Sequence, residues 1–245
     1  MSTILYGCES WLNGDLKPVV KIYNWALKQL LGDRMTTCND VCWVESGFGS
    51  LTATVKSKQR KFFVKMFNER YRIQDDPLGF ALRLVLNANY STEVYLHCLI
   101  NNSNYDDYQN DMDDLKQKIR QSESSRRSVY VKLMNTDLST HSIYSSKHSI
   151  YEPHRTAFTR FRVSSHMLAN ETARWNRGGR GRLPIDQRLC SCGAIQSEEH
   201  VVCNCPISQN LRDRFGFTCI ADLMNGNLAC DIVCEIIYEL LKLYA

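Results

Sequence analysis

Four cysteines and one histidine fall within the twenty residues Gln187 to Pro206, QRLCSCGAIQSEEHVVCNCP. Cys190, Cys192, His200 and Cys205 offer three thiolates and one imidazole, a donor set that matches tetrahedral zinc. Soft sulfur combined with imidazole selects zinc in a reducing compartment, and Gly193, just after the second cysteine, lets the backbone turn tightly around an ion. Cys203 stands two residues before Cys205 and competes for the fourth position. The first pair is Cys-x-Cys rather than the more usual Cys-x2-Cys. Buried free thiols are a common fate for cysteine. Five candidate donors in the sixteen residues from Cys190 to Cys205 argue against that reading here.

A catalytic metal needs an open coordination position and a carboxylate to work the bound water. The chain carries no His-Glu-x-x-His, and no His-x-Glu followed by Pro-Cys-x-x-Cys. Glu198 and Glu199 adjoin His200, but four protein donors close the shell, so the site is expected to be structural. Asp106 and Asp107, in NNSNYDDYQNDMDD, invite comparison with the paired aspartates that hold two magnesium ions in polymerases. Their neighbours Asn102, Ser103, Asn104, Gln109 and Asn110 are polar, without the apolar strands that make such a pair rigid. No catalytic residue is assigned.

The second chemical signal is basic. From Arg155 to Arg188 the chain has eight arginines, at 155, 160, 162, 174, 177, 180, 182 and 188, against two acids, Glu171 and Asp186. Arginine suits phosphate because its planar fork donates two parallel hydrogen bonds. If Arg155 to Leu168 is helical, Ala157, Phe158, Phe161 and Leu168 share one face, and Arg155, Arg162 and His166 project from the opposite one. RWNRGGRGRLP, Arg174 to Pro184, then reads as a flexible cationic strand with Trp175 available to stack on a base. Arg155, Arg160, Arg162, His166, Arg174, Trp175, Arg177, Arg180, Arg182 and Arg188 are therefore the candidate nucleic-acid contacts.

Helices must position these groups. Between Asp15 and Leu31 the apolar residues Leu16, Val19, Val20, Tyr23, Leu27, Leu30 and Leu31 recur at helical spacing, Pro18 sits in the first turn, and Gly32 follows as a left-handed cap. A second helix is expected from Leu51 to about Arg72, with Val55, Phe62, Phe63, Met66 and Phe67 on one side and Lys56, Lys58, Arg60, Lys61 and Lys65 around the rest. Shorter helices are expected at Pro77 to Val85 and Thr92 to Ile100. The serine-rich runs SESSRRS and STHSIYSSKHSIYEP flank the short apolar piece VYVKLM and mark a boundary. The expected architecture is mainly α: a helical domain over 1–120, a serine-rich linker over 121–150, and a basic helix, metal loop and terminal helix over 151–245.

Composition bounds the function. With 245 residues, 44% of them hydrophobic, the chain can bury a real core, and a formal charge of +4 permits a nucleic-acid partner. No run of eighteen apolar residues and no basic leader with a long apolar stretch is present, so neither a membrane span nor a signal peptide is expected. Eleven cysteines without a secretory signal favour free thiols and a metal site over disulfides. An intracellular location, nuclear or cytoplasmic, is expected.

The run FRVSSHMLANETARW…RLCSCGAIQSEEHVVCNCP resembles the C-terminal segment of non-LTR (LINE-type) retrotransposon reverse transcriptases, where a basic helix, a tryptophan-arginine stretch and a Cys-Cys-His-Cys knuckle follow in this order. TILYGCESWLNGDLKPVVKIYNWALKQLLG and VESGFGSLTATVKSKQRKFFVKM are similar to the thumb and connecting helices after the palm of those enzymes. The resemblance is strongest over residues 3–70 and 155–206 and weak over 75–150. It implies a helical, thumb-like bundle, places Cys190, Cys192, His200 and Cys205 on the knuckle positions, and places Arg155, Arg162 and His166 on the pre-knuckle helix. It also implies that the fingers and palm, with the catalytic aspartates, belong before Thr3. The expected function is binding of RNA or single-stranded DNA with little sequence preference, without polymerisation by this chain alone. A zinc-stapled protein-interaction module whose arginines meet an acidic partner is the alternative. A palm-bearing polymerase chain docking on the N-terminal helices is a further partner this reading admits.

Overall fold

The structure, a computed structural model, describes residues 8, 15–70, 107–144, 149–174, 181–225 and 228–244. The expected helices at 77–85 and 92–100 lie outside these residues. Ten α-helices and several short 3-10 and π turns account for most of the described chain, and the extended structure among the described residues is a single bridge between Leu189 and Ile195. The protein is mainly helical.

The chain forms two compact units, one of residues 1–24 and 48–115, the other of 25–47 and 116–245. Helix α1, Lys17–Leu31, follows its periodicity: Tyr23, Leu27 and Leu31 are buried while Ile22, Trp25 and Leu30 are more than half exposed, at 53, 54 and 60%. Gly32 ends it with φ of +71°, and a Cβ there would run into the Thr156 hydroxyl. Only glycine meets both demands.

In the first unit, α3, Leu51–Arg70, turns Leu51, Val55 and Gln59 inward at four-residue spacing. Arg60, expected on a solvated basic face, is buried with them, and Phe62, expected in the core, is 40% exposed. The stripe closes on Gln59, whose amide satisfies the Cys8 carbonyl at 3.1 Å, so a polar residue occupies the core row and displaces the apolar one. Tyr23 donates to the Gly49 carbonyl at 3.0 Å, and the Ser50 amide donates to Asp111 on α4, Asp107–Arg120, at 3.2 Å.

The second unit is organised around a buried carboxylate. Glu45, on α2 (Asn39–Ser46), is wholly buried. Arg162 Nε donates to its Oε1 at 2.6 Å and Tyr144 to the same oxygen at 2.9 Å, while Tyr130 donates to Oε2 at 2.7 Å. Asn135 Nδ2 donates to Oε2 at 3.4 Å. A buried charge survives only when paired and hydrogen-bonded, and here each oxygen has two donors.

Tyr130, Tyr144 and Asn135 all come from the stretch expected to be a linker. The described residues of that stretch instead contribute to this core: α5 (Ser125–Val129) runs into a π turn over Tyr130–Met134, and Tyr130, Met134, Leu138 and Ile143 are 2% exposed or less. Among the described serines of the stretch, Ser124, Ser139, Ser142 and Ser149 are exposed.

Helix α6, Glu152–Arg162, packs along α10, Cys230–Lys242, in the most extensive helix pairing of the unit. Ala157, Phe158 and Phe161 on α6 and Val233, Ile236, Ile237 and Leu240 on α10 are all buried. Burial of each large side chain contributes about 1.5–3 kcal/mol. Three short helices complete the unit, α7 (Ala169–Thr172), α8 (Gln209–Phe215) and α9 (Ile220–Asn225).

Candidate metal centre and basic tract

A tight hairpin carries the first two candidate ligands. The Gln196 amide donates to the Arg188 carbonyl at 2.8 Å and the Cys190 amide to the Ala194 carbonyl at 2.7 Å, so the chain reverses between Leu189 and Ile195. Gly193 makes this turn with φ of +91°, in the left-handed region. The other two ligands bracket a π turn over His200–Asn204, closed by the Cys205 amide donating to the His200 carbonyl at 2.8 Å.

These two pieces bring Cys190, Cys192, His200 and Cys205 together, with all four donor atoms within 4.8 Å of one another. Cys190 and Cys205 sulfurs are 3.7 Å apart, Cys192 and Cys205 sulfurs 3.8 Å, and Cys192 Sγ lies 3.1 Å from His200 Nε2. Disulfide sulfurs would be about 2.05 Å apart. The group could hold a metal ion. Cys203 is not in it; its sulfur meets the Ile220 backbone, and burial raises its thiol pKa.

Protonation suits metal binding at two of the donors. Burial acts to raise the Cys190 thiol, but hydrogen bonds from the Cys192 backbone and neighbouring thiols outweigh it and bring the thiol below its ordinary value. Burial and then the Arg212 charge lower the His200 imidazole, which favours the neutral, coordinating form.

Arg212, which nothing in the spacing singled out, holds the π turn. Its guanidinium donates to the carbonyls of Val202 at 3.2 Å and Cys205 at 2.6 Å and to Ser208 Oγ at 2.9 Å. Ser208 in turn donates to the Val201 carbonyl at 2.6 Å. Carbonyls that a π turn leaves without helical partners are thereby satisfied. Such supporting bonds orient ligands much as second partners do in metal sites generally.

Several described residues of the arginine tract serve the fold. Helix α6 stops at Arg162, and Ser164 adopts φ of +52°, so the chain leaves the helix before His166. His166 therefore turns inward, 1% exposed, with Nε2 3.1 Å from Glu198 Oε1. Burial would raise the Glu198 carboxyl, but His166, Asn170 and backbone hydrogen bonding overcome it and hold the carboxyl down at about 2. Arg162, expected to project outward, is 2% exposed and serves Glu45 and the Met134 carbonyl. Arg188 is buried and bonds the Leu183 and Asn170 carbonyls, anchoring the base of the hairpin.

Arg155 and Arg160 are partly exposed and donate to the carbonyls of Leu30 at 3.1 Å and Gly32 at 2.9 Å, satisfying the end of α1. Arg174 pairs with Glu171 at 3.1 Å, beside Arg126 on the same carboxylate. Arg182 is exposed. Trp175, Arg177 and Arg180 lie outside the described residues. Of the seven described candidates, Arg162, His166 and Arg188 are buried and Arg155, Arg160, Arg174 and Arg182 keep partial or full exposure, because peptide carbonyls and buried acids compete for guanidinium as well as phosphate does.

No helix among the described residues is long and apolar enough to cross a membrane. No family model, no curated protein and no solved structure matches the chain.

Proposed function

We propose that this chain is a zinc-stapled, mainly helical module that binds RNA or single-stranded DNA and does not polymerise by itself. The observation that carries the zinc assignment is the donor geometry. A regular tetrahedron with zinc–sulfur bonds of about 2.3 Å has edges of about 3.8 Å, and the two sulfur pairs stand 3.7 and 3.8 Å apart. Thiolate and imidazole exclude magnesium and calcium, which take oxygen. Four protein donors close the shell, so the ion would fix Cys190, Cys192, His200 and Cys205 in place and order the loop between them.

The nucleic-acid part of the reading rests on the resemblance to the C-terminal segment of non-LTR reverse transcriptases, in which a basic helix, a tryptophan-arginine stretch and the knuckle occur in the order found here. Exposed Arg182 and partly exposed Arg155 and Arg160 supply cations for it. Neutralised phosphates release counterions, so affinity for a single strand should fall with salt, at a log-log slope of about −0.7 per phosphate contacted. Metal analysis of the purified chain together with salt titration of an oligouridine complex tests both halves. One zinc per chain and a negative slope are expected. A chain that carries no metal and whose circular dichroism ignores a strong chelator sinks the staple. Salt-insensitive or undetectable oligonucleotide binding, with capture of an acidic peptide instead, replaces the nucleic acid with a protein partner.

A further inference from the structure

Beside the α6–α10 pairing lies an open cleft of about 310 Å³, at the lower end of the 300–1,000 Å³ usual for ligand sites. Arg34, Arg160 and Lys242 line it together with Thr156, Met167 and Tyr238, and no carboxylate among the described residues does. The acids that share α10 with Tyr238 nearest in sequence, Glu235 and Glu239, lie 3.9 and 3.5 Å from Arg214. Arg160 is aimed: its Nε is fixed on the Gly32 carbonyl at 2.9 Å, and its two terminal nitrogens make no hydrogen bond among the described residues. Lys242 is exposed, with its ammonium 5.4 Å from the centre of the Tyr238 ring.

Aromatic rings continue from this cleft along the surface. Tyr238 packs on His154 with centroids 4.6 Å apart, and His154 meets the edge of Tyr151 at 5.1 Å. Tyr151, the first of the row, is 67% exposed. Tyr151 sits at the N-cap of α6, where its carbonyl accepts the His154 and Arg155 amides at 3.0 and 3.1 Å, and its ring is left largely to solvent. Rings that present π-faces next to cations are the chemistry that holds single-stranded nucleic acid, with bases stacking on the rings and phosphates on the cations. An acidic peptide would use the cations and leave the rings idle.

We propose that the α6–α10 cleft and the Tyr151–His154–Tyr238 row form the seat of single-stranded nucleic acid, with bases on the rings and backbone phosphates on Arg160 and Lys242. This rests on the nucleic-acid reading above and moves the interface to residues outside the ten candidate contacts, Arg160 and the cleft-lining His166 excepted. The cleft adjoins the metal loop, since His166 lines it and bonds Glu198, two residues before His200.

The test is fluorescence anisotropy of labelled oligouridine and oligothymidine against the full zinc-loaded chain and the variants Tyr151→Ala, Lys242→Gln and Arg182→Gln. Tyr151, Lys242 and Arg182 are exposed, so all three variants should fold, and circular dichroism checks that they do. Loss of one stacked base is worth about fivefold to a hundredfold in affinity, so Tyr151→Ala should weaken binding at least about fivefold. Lys242→Gln should make the salt slope shallower by about 0.7. Arg182, which does not line the cleft, should matter less than either. If the wild type binds and only Arg182→Gln weakens it, the seat is elsewhere while the nucleic-acid reading stands. If polyglutamate competes as well as oligouridine at equal charge, the rings play no part and the seat is overturned. If the wild type binds no single strand, both readings fall.

Discussion

Truncating Arg162 to alanine should lower stability by about 3–5 kcal/mol in urea unfolding, because Glu45 would be left as a buried charge without its cation. Glu45 is wholly buried and Arg162 2% exposed, so solvent cannot take the guanidinium's place. Arg155→Ala should cost under about 1 kcal/mol, since its bond to the Leu30 carbonyl is exposed. Equal effects from the two variants would remove Arg162 from the core. The sequence could not separate these arginines. Both stand on one helix at ordinary spacing, and what distinguishes them is a glutamate 117 residues away. A different local logic governs Asp222. Its carboxylate accepts from the Thr218 amide, the Thr218 hydroxyl and the Cys219 amide at 2.8, 2.9 and 3.0 Å, a bracing of the α9 start that resembles a capping box. The Thr218 backbone bond first, then the hydroxyl and the Cys219 amide, hold its pKa down at about 2. The folded value lies below the unfolded value of about 3.9, so the stabilisation is complete above roughly pH 4 and is lost as pH falls toward 2. Carboxyl NMR should find the midpoint near 2 and see it rise, without reaching the unfolded value, in Thr218→Val. An unchanged midpoint would mean that the hydroxyl contributes nothing.

Among the elements, the long helices were legible because burial on one side imposes a 3.6-residue rhythm, and α1 shows it in Tyr23, Leu27 and Leu31. The metal loop was legible for another reason. Ligand chemistry restricts residue type so strongly that Cys190, Cys192, His200 and Cys205 stand out before any fold is known. What supports the loop was not legible: Arg212 is an ordinary basic residue until the π turn presents its carbonyls. The end of α6 was missed for a similar reason, since no proline or glycine marks the left-handed turn at Ser164 that carries His166 inward. The loop also makes a sharp prediction. Leu189 and Ile195 are 52 and 42% exposed, so burial alone does little to order the hairpin. A bound zinc would contribute there, and in zinc-finger peptides metal binding supplies roughly 10–16 kcal/mol at neutral pH. Cys205→Ser should therefore lower zinc stoichiometry sharply and release amide protection over residues 188–206, while the α6–α10 pairing stays protected. Cys203→Ser should leave one zinc bound. The reverse pattern would exchange the fourth ligand.

At the scale of the molecule, the division into two units follows packing rather than chain order, since residues 25–47 belong with 116–245. Composition could not reveal this. Serine runs mark where a chain meets water, and they mark a linker only if no buried residue lies between them; here Tyr130, Met134, Leu138 and Ile143 do. Four buried acids of the second unit are committed to basic partners: Asp40 to Arg127 and Lys118, Glu45 to Arg162, Glu171 to Arg126 and Arg174, and Glu198 to His166. A polymerase instead needs carboxylates held open toward two metal ions and a nucleotide, with no cation already on them. The group among the described residues that could hold a metal is the set of three thiols and one imidazole, which four protein donors would close to substrate. Purified chain, supplied with magnesium, a primed RNA template and deoxynucleotides, should therefore extend no primer. Asp106 and Asp107 remain the pair to test, being consecutive carboxylates in the sequence, with Asp107 the first residue of α4. Magnesium-dependent incorporation that disappears in the Asp106→Asn, Asp107→Asn double variant would make this chain an enzyme. Incorporation that persists in the double variant would point to a contaminating polymerase, and a repeat at higher purity would then show none.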